Sequence, residues 1–218
     1  SLRLLPQAQS SLQVRGMPFR EMAEVKTPYT DLFSYDAGSG QLFWKERPLS
    51  SFTGKTESSI RNACGSWNTK YAGKEAGTLA RQSPTRGVVN RAILVWMKGV
   101  SMEAHRIIWE ISYGPIPDGM FIDHINRNPI DNRLSNLRLA TQSENARNCT
   151  LYKSSTTRLK GVSFFKQSAK WKATIGINNK HIHLGLFQTK GLAAVAYAKA
   201  SIRYHGAYST FCPAGKWN

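Results

Sequence analysis

The chain has 218 residues, 30 of them Lys or Arg against 13 Asp or Glu, with a formal net charge of +17 and an isoelectric point near 10.1. That length holds one large or two small domains, and such a field concentrates polyanions, nucleic acid first and acidic membrane second. The longest notable apolar run, Ala92 to Met97, is far below the about 20 residues that cross a bilayer. Cys64, Cys149 and Cys212 are odd in number and lack a C-x-x-C spacing, which argues against a disulfide framework or zinc knuckle and points to a reducing cytoplasm.

Residues 1 to 26 lack acids until Glu21 and carry Gln and Ser clusters, the signature of a disordered leader or a non-native remnant, with Met17 as a natural start. Tyr29 to Asp36 reads as a short helix, Gly38-Ser39-Gly40 as a turn and Gln41 to Lys45 as a strand. Gly73 to Gly77 and Ala92 to Met97 read as further strands, with Lys98-Gly99 turning the chain into Val100 to Glu103. Ala104 to Gly114 reads as a helix whose Ile108, Trp109 and Ile111 serve the core and which Gly114-Pro115 ends. A helix start attracts phosphate, so Arg106 is a candidate DNA contact. His105 stands beside it as a cleft or packing residue.

Next comes F121-I-D-H-I-N-R-N-P-I-D-N-R-L-S-N-L-R-L-A-T-Q-S-E-N145. The stretch resembles the HNH endonucleases, and the phosphodiester hydrolysis which that resemblance implies needs a base for the attacking water and a cation for the charge growing on phosphate and leaving oxygen. His124, ordinarily titrating near 6.5, suits the base. The oxygens of Asp123 and Asn145 suit one Mg²⁺ (or Mn²⁺), a hard ion that keeps waters and takes few protein ligands. Successive strand residues face opposite ways, so a bulge or twist is expected at Asp123-His124. Asn126 to Arg133 is a loop rich in Asn, Asp and Pro, Leu137-Arg138-Leu139 is a returning strand, and Arg138 is a candidate DNA contact. Thr141 with Glu144 three residues on is a capping box that starts a helix and puts Asn145 in its first turn.

In this motif, 12 positions separate His124 from Asn136 and 21 separate it from Asn145. The stretch resembles the HNH endonucleases, above all their phage homing and nicking members. That resemblance implies a β-hairpin and helix gripping one divalent ion, 5′-phosphate and 3′-hydroxyl products, and a structural role for Asn136 bracing the active-site loop. The third family position is often His, and Asn145 is a weaker ligand.

From residue 151 onward there is no Asp or Glu, while eleven Lys and Arg remain, enough to contact several phosphates. Gly161 to Lys166, Lys170 to Ile177 and Lys180 to Phe187 read as strands, with Trp171, Ala173, Ile175 and Ile177 on one face of the second and Ile182, Leu184 and Leu186 on one face of the third. Asn178-Asn179 makes the hairpin turn, and the alanine-rich Leu192 to Tyr204 is a helix covering the sheet. G161-V-S-F-F-K, K170-W-K-A-T-I, H183-L-G-L-F-Q-T and A-x-A-Y-x-x-A resemble the APETALA-two/ethylene-response-factor DNA-binding domain, whose sheet lies in the major groove. The resemblance nominates Phe165, Lys166, Lys172, Thr174, His181 and His183 as DNA contacts. Plant members place several arginines where this chain has Ser163, Thr174, Gly176 and His181, so the target sequence does not transfer. His181 and His183 have no Cys or third His nearby, so zinc is not expected.

Together these readings predict an α+β protein: a ββα-metal nuclease domain over residues 27 to 149 (core motif 104 to 149), a linker over 150 to 157, and a three-stranded antiparallel sheet packed on one helix over 158 to 213. The expected activity is metal-dependent hydrolysis of double-stranded DNA by a monomeric, phage-encoded enzyme in the cytoplasm of a bacterial host. The rival is a DNA-binding regulator with a degenerate nuclease fold.

Overall fold

The computed structural model describes residues 27–80, 92–97, 99–148, 157–178 and 180–211. The leader expected over 1 to 26, Lys98, Cys149, Asn179, Cys212 and nearly all of the expected linker lie outside the described residues. The chain divides between Leu139 and Ala140 into two units.

In the first unit the helix expected over Tyr29 to Asp36 is instead one turn, closed by Phe33 N–H donating to Tyr29 O at 3.0 Å, followed by β1 (Phe33–Asp36). β1 pairs antiparallel with β2 (Gln41–Trp44). Side chains alternate, so Phe33 and Leu42 turn into the core, and the Asp36 carboxylate accepts from the amides of Gly38 and Ser39, closing the turn. These two preferences outweigh the helix propensity of a segment only eight residues long.

α1 (Glu57–Tyr71) is not foreseen by sequence reasoning, because its Ser, Asn and Gly content is poor helix stock. Two devices make it. Thr56 caps it reciprocally with Ser59, in place of the usual Glu or Gln. Trp67 and Tyr71, four residues apart, then stack with Trp44 at 5.6 and 6.3 Å, and Arg47 lies 4.0 Å from the Trp67 ring. Of the strand expected over Gly73 to Gly77, only a bridge from Glu75 to Phe43 forms. The strand proper, β3 (Thr78–Leu79), pairs with β4 (Ile93–Met97), which pairs with β5 (Val100–Glu103). Gly99 turns the last pair at φ +84°.

α2 (Ala104–Tyr113) ends at Gly114, φ +89°, where any side chain would be strained. Its Ala104, Ile107 and Ile108 pack with Phe33, Leu42, Val95, Ile122 and Leu137. Burying each large aliphatic side chain contributes roughly 1.5–3 kcal/mol. This core fixes β6 (Met120–His124), whose sheet partner is β7 (Leu137–Thr141).

In the second unit, α3 (Gln142–Asn148) opens with the expected reciprocal cap: Thr141 N and Oγ1 both donate to Glu144 Oε2 at 2.9 Å, and Glu144 N donates to Thr141 Oγ1 at 3.3 Å. Lys160 Nζ donates to the Arg147 carbonyl at 2.8 Å. This bond ties α3 to the C-terminal elements, and the two units divide before α3.

β8 (Val162–Phe165), β9 (Lys170–Ile177) and β10 (Lys180–Phe187) form an antiparallel sheet with β9 central. α4 (Lys190–His205), capped by Thr189, lays Ala193, Tyr197 and Ala200 on Val162, Ala173 and Ile175. Gly161, at φ +64°, has no room for a Cβ, which would meet the Tyr197 ring and the Thr174 carbonyl. The expected apolar face of β10 is corrected: a register shift between His183 and Gly185 re-aims the strand. Leu184 and Phe187 pack on the core, while Ile182 and Leu186 are exposed at 38% and 39%.

Candidate active site

Asp123 and His124 are the last two residues of β6. Ile122 belongs to the apolar core, while Asp123, 5% exposed, is covered by Arg138 of β7. Asp123 Oδ2 accepts from Arg138 Nε at 2.8 Å and Nη2 at 2.6 Å. The Arg138 side chain, a candidate DNA contact in the sequence, is 12% exposed and its guanidinium pairs with Asp123, since a buried carboxylate needs a hydrogen-bonded counter-charge.

His124 Nε2 lies 2.9 Å from Asn132 Oδ1. An amide oxygen can only accept, so this contact selects the tautomer with its proton on Nε2, and Nδ1 then carries the ring's lone pair. The loop that delivers Asn132 is closed by buried amides. Asn136 Nδ2 donates to Asp131 O at 2.7 Å and Asn126 Oδ1 at 3.0 Å, and Asn136 Oδ1 accepts from Asn126 N at 2.9 Å. Arg127 N donates to His124 O at 2.8 Å, which holds Arg127 at φ +63°, a conformation costing about 1–2 kcal/mol. Hydrogen bonds from the Arg133 guanidinium hold the Asp131 carboxyl down at about 2.

Two supports come from far away in sequence. Tyr35 Oη accepts from Leu134 N at 3.0 Å, and Gly40, φ +77°, lies so close to the Asn132–Arg133 backbone that a Cβ would stand 2.6 Å from Arg133 N. Neither residue bears an active-site signature. Asn132 itself is visible in the motif, yet nothing in spacing alone separates it from ordinary loop asparagines.

His105 is the other residue that sequence reasoning leaves without a role. It is 8% exposed, and its ring centroid is 5.0 Å from that of His124 with the planes at 79°. Burial, then the charges of His124 and Arg106, pushes its pKa down to about 3. Glu103 Oε2 stands 3.4 Å from its Nε2 and favours the charged ring, but that carboxylate is 47% exposed. Solvent screens it, and burial prevails. Arg106 is half-buried in the first turn of α2, its charge lowering the pKa of Glu110 against the upward push of burial.

Asn145 is half-buried in α3, across the division from Asp123 and His124. Among the described residues no three His, Cys, Asp or Glu side chains form a metal-holding group. The donors of Asp123 and Asn145 are hard oxygens, the type Mg²⁺ prefers, and a carboxylate's four lone-pair sites can serve a guanidinium and a cation together.

In the second unit, cross-strand register puts the remaining nominated residues on the face away from α4. Lys170 opposes Phe165, Lys172 opposes Ser163 and Leu186, Thr174 opposes His183, and Gly176 opposes His181. Lys172 Nζ is 5.8 Å from the Phe165 ring centroid. Lys166 is the exception: β8 ends at Phe165, and Lys166 opens a single 3-10 turn to Ser168, so it is exposed beside the sheet and not on its strand.

Residues 103–147 match the family model described as HNH endonuclease, a span from the end of β5 into α3. Over 109 residues, 49% of its length, the chain is 38% identical to Protein 3.8 of Escherichia phage T7 and covers 88% of that protein. The chain belongs to the HNH endonuclease family. It is also 35% identical over 97 residues to "Uncharacterized HNH endonuclease L560" of Acanthamoeba polyphaga mimivirus, a match covering 44% of this chain and 49% of that one. Protein 7.7 of phage T7 is 37% identical over 51 residues, covering 23% and 39%. No helix among the described residues is long and apolar enough to cross a membrane.

Arg138→Leu leaves Asp123 buried without its counter-charge and lowers stability by roughly 3–5 kcal/mol, read as the urea midpoint; a loss under about 1 kcal/mol, the worth of a surface pair, contradicts the buried pairing. Because the folded pKa of His105 lies below its unfolded value of about 6.5, the unfolded chain binds the proton first as pH falls. His105 therefore makes stability decline from about pH 6.5 down toward pH 3, with a slope of up to about 1.4 kcal/mol per pH unit. His105→Phe abolishes that share, and denaturation series at about pH 7 and about pH 4.5 that shift equally in both proteins refute it.

Proposed function

We propose that the chain is a metal-dependent endonuclease of double-stranded DNA. The observation that carries this reading is the HNH-matching segment in which Asn132 holds the His124 imidazole as the Nε2-protonated tautomer, next in sequence to a buried carboxylate. β6, β7 and α3 follow one another in the order of a ββα-metal motif.

In this reading His124 Nδ1 takes the proton of a water attacking phosphorus in line, general-base assistance worth about 10²–10⁴-fold. Asn132 keeps the imidazole in the accepting tautomer, and Asn136 ties the loop that carries Asn132. Asp123 and Asn145 hold one Mg²⁺ (or Mn²⁺), and Arg138 orients the Asp123 carboxylate. The bound cation supplies charge neutralisation at the phosphate and leaving oxygen. The products are a 5′-phosphate and a 3′-hydroxyl.

The C-terminal sheet resembles an APETALA-two/ethylene-response-factor domain. Its outer face, with Phe165, Lys172, Thr174, His181 and His183, lies in the major groove, while Lys166 and Arg106 contact phosphate. A segment free of acids suits that work. By the motif's resemblance we read the chain as a homing or nicking enzyme, acting as a monomer in a bacterial cytoplasm, and relatives from phage T7 are in keeping with a phage origin. A DNA-binding regulator built on the same fold is the second reading, favoured by the large share of this basic unit in the chain.

Incubation with supercoiled plasmid and Mg²⁺ or Mn²⁺ tests the enzyme: wild type yields nicked or linear DNA, and His124→Ala is slower by about 10² or more at unchanged DNA affinity. A gel shift without strand breakage in wild type supports the regulator instead. Each phosphate contact contributes about −0.9 to the slope of log affinity against log salt. Lys172→Ala therefore flattens the slope by about that amount, and an unaltered slope removes Lys172 from the interface.

A further inference from the structure

Resting on the reading of the chain as a DNA-acting enzyme, we propose that Arg47 is a phosphate contact for duplex DNA, held ready by an aromatic cluster outside the HNH-matching segment. Arg47 lies just after β2, and one side chain of α1 grips its main chain from both sides: Arg47 N donates to Asn68 Oδ1 at 3.0 Å, and Asn68 Nδ2 donates to Arg47 O at 3.0 Å. Trp44 is tied just beyond the end of α1 in the same way, its N–H donating to Lys74 O at 2.9 Å and its O accepting from Gly73 N at 2.8 Å. With both main-chain segments fixed, the Arg47 guanidinium carbon lies 4.0 Å from the centroid of the Trp67 ring and 5.5 Å from that of Trp44, inside the range of cation–π attraction.

What that guanidinium lacks is an anion. Burial pushes its pKa down, its Nε is shut off from solvent with no hydrogen-bond partner, and among the described residues no carboxylate pairs with it. Glu46, its neighbour in sequence, is exposed, and Glu57 of α1 pairs with Arg61. The same unit meets the need elsewhere, since Arg133 and Arg138 each hold a carboxylate. Packing alone does not call for arginine here, because an apolar side chain covers Trp67 without a charge to desolvate. A guanidinium braced on an aromatic ring has little rotamer freedom left to lose when it receives a phosphate. With Nε closed off, the phosphate is met at the Nη end. The surroundings suit a polyanion: Trp67 stacks with Tyr71 at 5.2 Å, Lys70 Nζ stands 5.1 Å from the Tyr71 ring, and from Trp44 to Glu75 the sequence has six Lys or Arg against three acids. The regular phosphates of a duplex match two cations set apart on one aromatic surface.

The test measures binding of the full chain to a fluorescent duplex by anisotropy, without divalent metal, over a series of salt concentrations. Arg47→Met keeps an aliphatic stem against Trp67 and removes the charge, whereas Arg47→Lys keeps the charge. Methionine is expected to weaken binding on the order of tenfold and to flatten the slope of log affinity against log salt by about 0.9, and lysine to preserve the slope. An unchanged slope in Arg47→Met, or a slope flattened as far in Arg47→Lys, overturns the proposal.

Should Arg47→Met fail to fold, wild-type protein decides. The Arg47 Nε–Hε signal in ¹⁵N spectra is expected to move on addition of duplex and to stay in place with polyglutamate. No movement with duplex overturns the contact, and movement with polyglutamate alone overturns it in favour of an acidic protein partner. A wild type that binds no duplex defeats the DNA reading itself, and this contact with it. A wild type that binds, with Lys172→Ala flattening the slope and Arg47→Met leaving it unaltered, defeats the Arg47 contact alone.

Discussion

The buried amides of Asn132 and Asn136 are the constraint on which the site depends. A loop as rich in polar backbone as Asn126 to Arg133 keeps one shape only if its buried donors and acceptors are satisfied internally. Asn136 does this with three hydrogen bonds, one to the Asp131 carbonyl and two exchanged with Asn126. With the loop shaped, Asn132 arrives at His124 and sets its tautomer. Without it, only the Arg127 N–H bond to the His124 carbonyl offsets the positive-φ turn at Arg127, and His124 loses the partner that decides which nitrogen accepts.

A buried carboxylate beside that base poses the opposite electrostatic problem. Desolvation opposes its charge, and Arg138 answers with two hydrogen bonds to one oxygen. The guanidinium is thereby held on Asp123, inside the unit. Charge is thus deployed differently along the chain. In the first unit Asp131 and Arg133 pair two residues apart, whereas the segment from residue 151 onward has cations and no acids, of which Arg158, Lys166, Lys180, Lys199 and Arg203 are exposed.

The motif around Asp123 was legible because short-range chemistry writes it. The Thr141–Glu144 cap, the β7 return and the loop closed by Asn136 all depend on residues within about one supersecondary unit. The outer face of β9 was legible for the same reason, since strand alternation places Lys172 and Thr174 together. Alternation failed on β10, where the bulge before Gly185 moved Leu186 outward, and at Lys166, where the strand stopped one residue early. α1 escaped notice because its stability comes from a Thr–Ser cap and from stacking on Trp44, a residue in another element.

By itself, then, the amino-acid sequence determined the order of elements around the motif, the residues proposed as base and oxygen donors, and the acid-free C-terminal segment. These follow from residue type, spacing and charge, which are local properties. Tertiary structure alone decided that Arg138 turns inward to Asp123, that Tyr35 and Gly40 press on the loop from about a hundred residues away, and that His105 meets His124. Such contacts arise when distant segments compete to satisfy the same buried polar groups, and no local pattern records which of them succeeds.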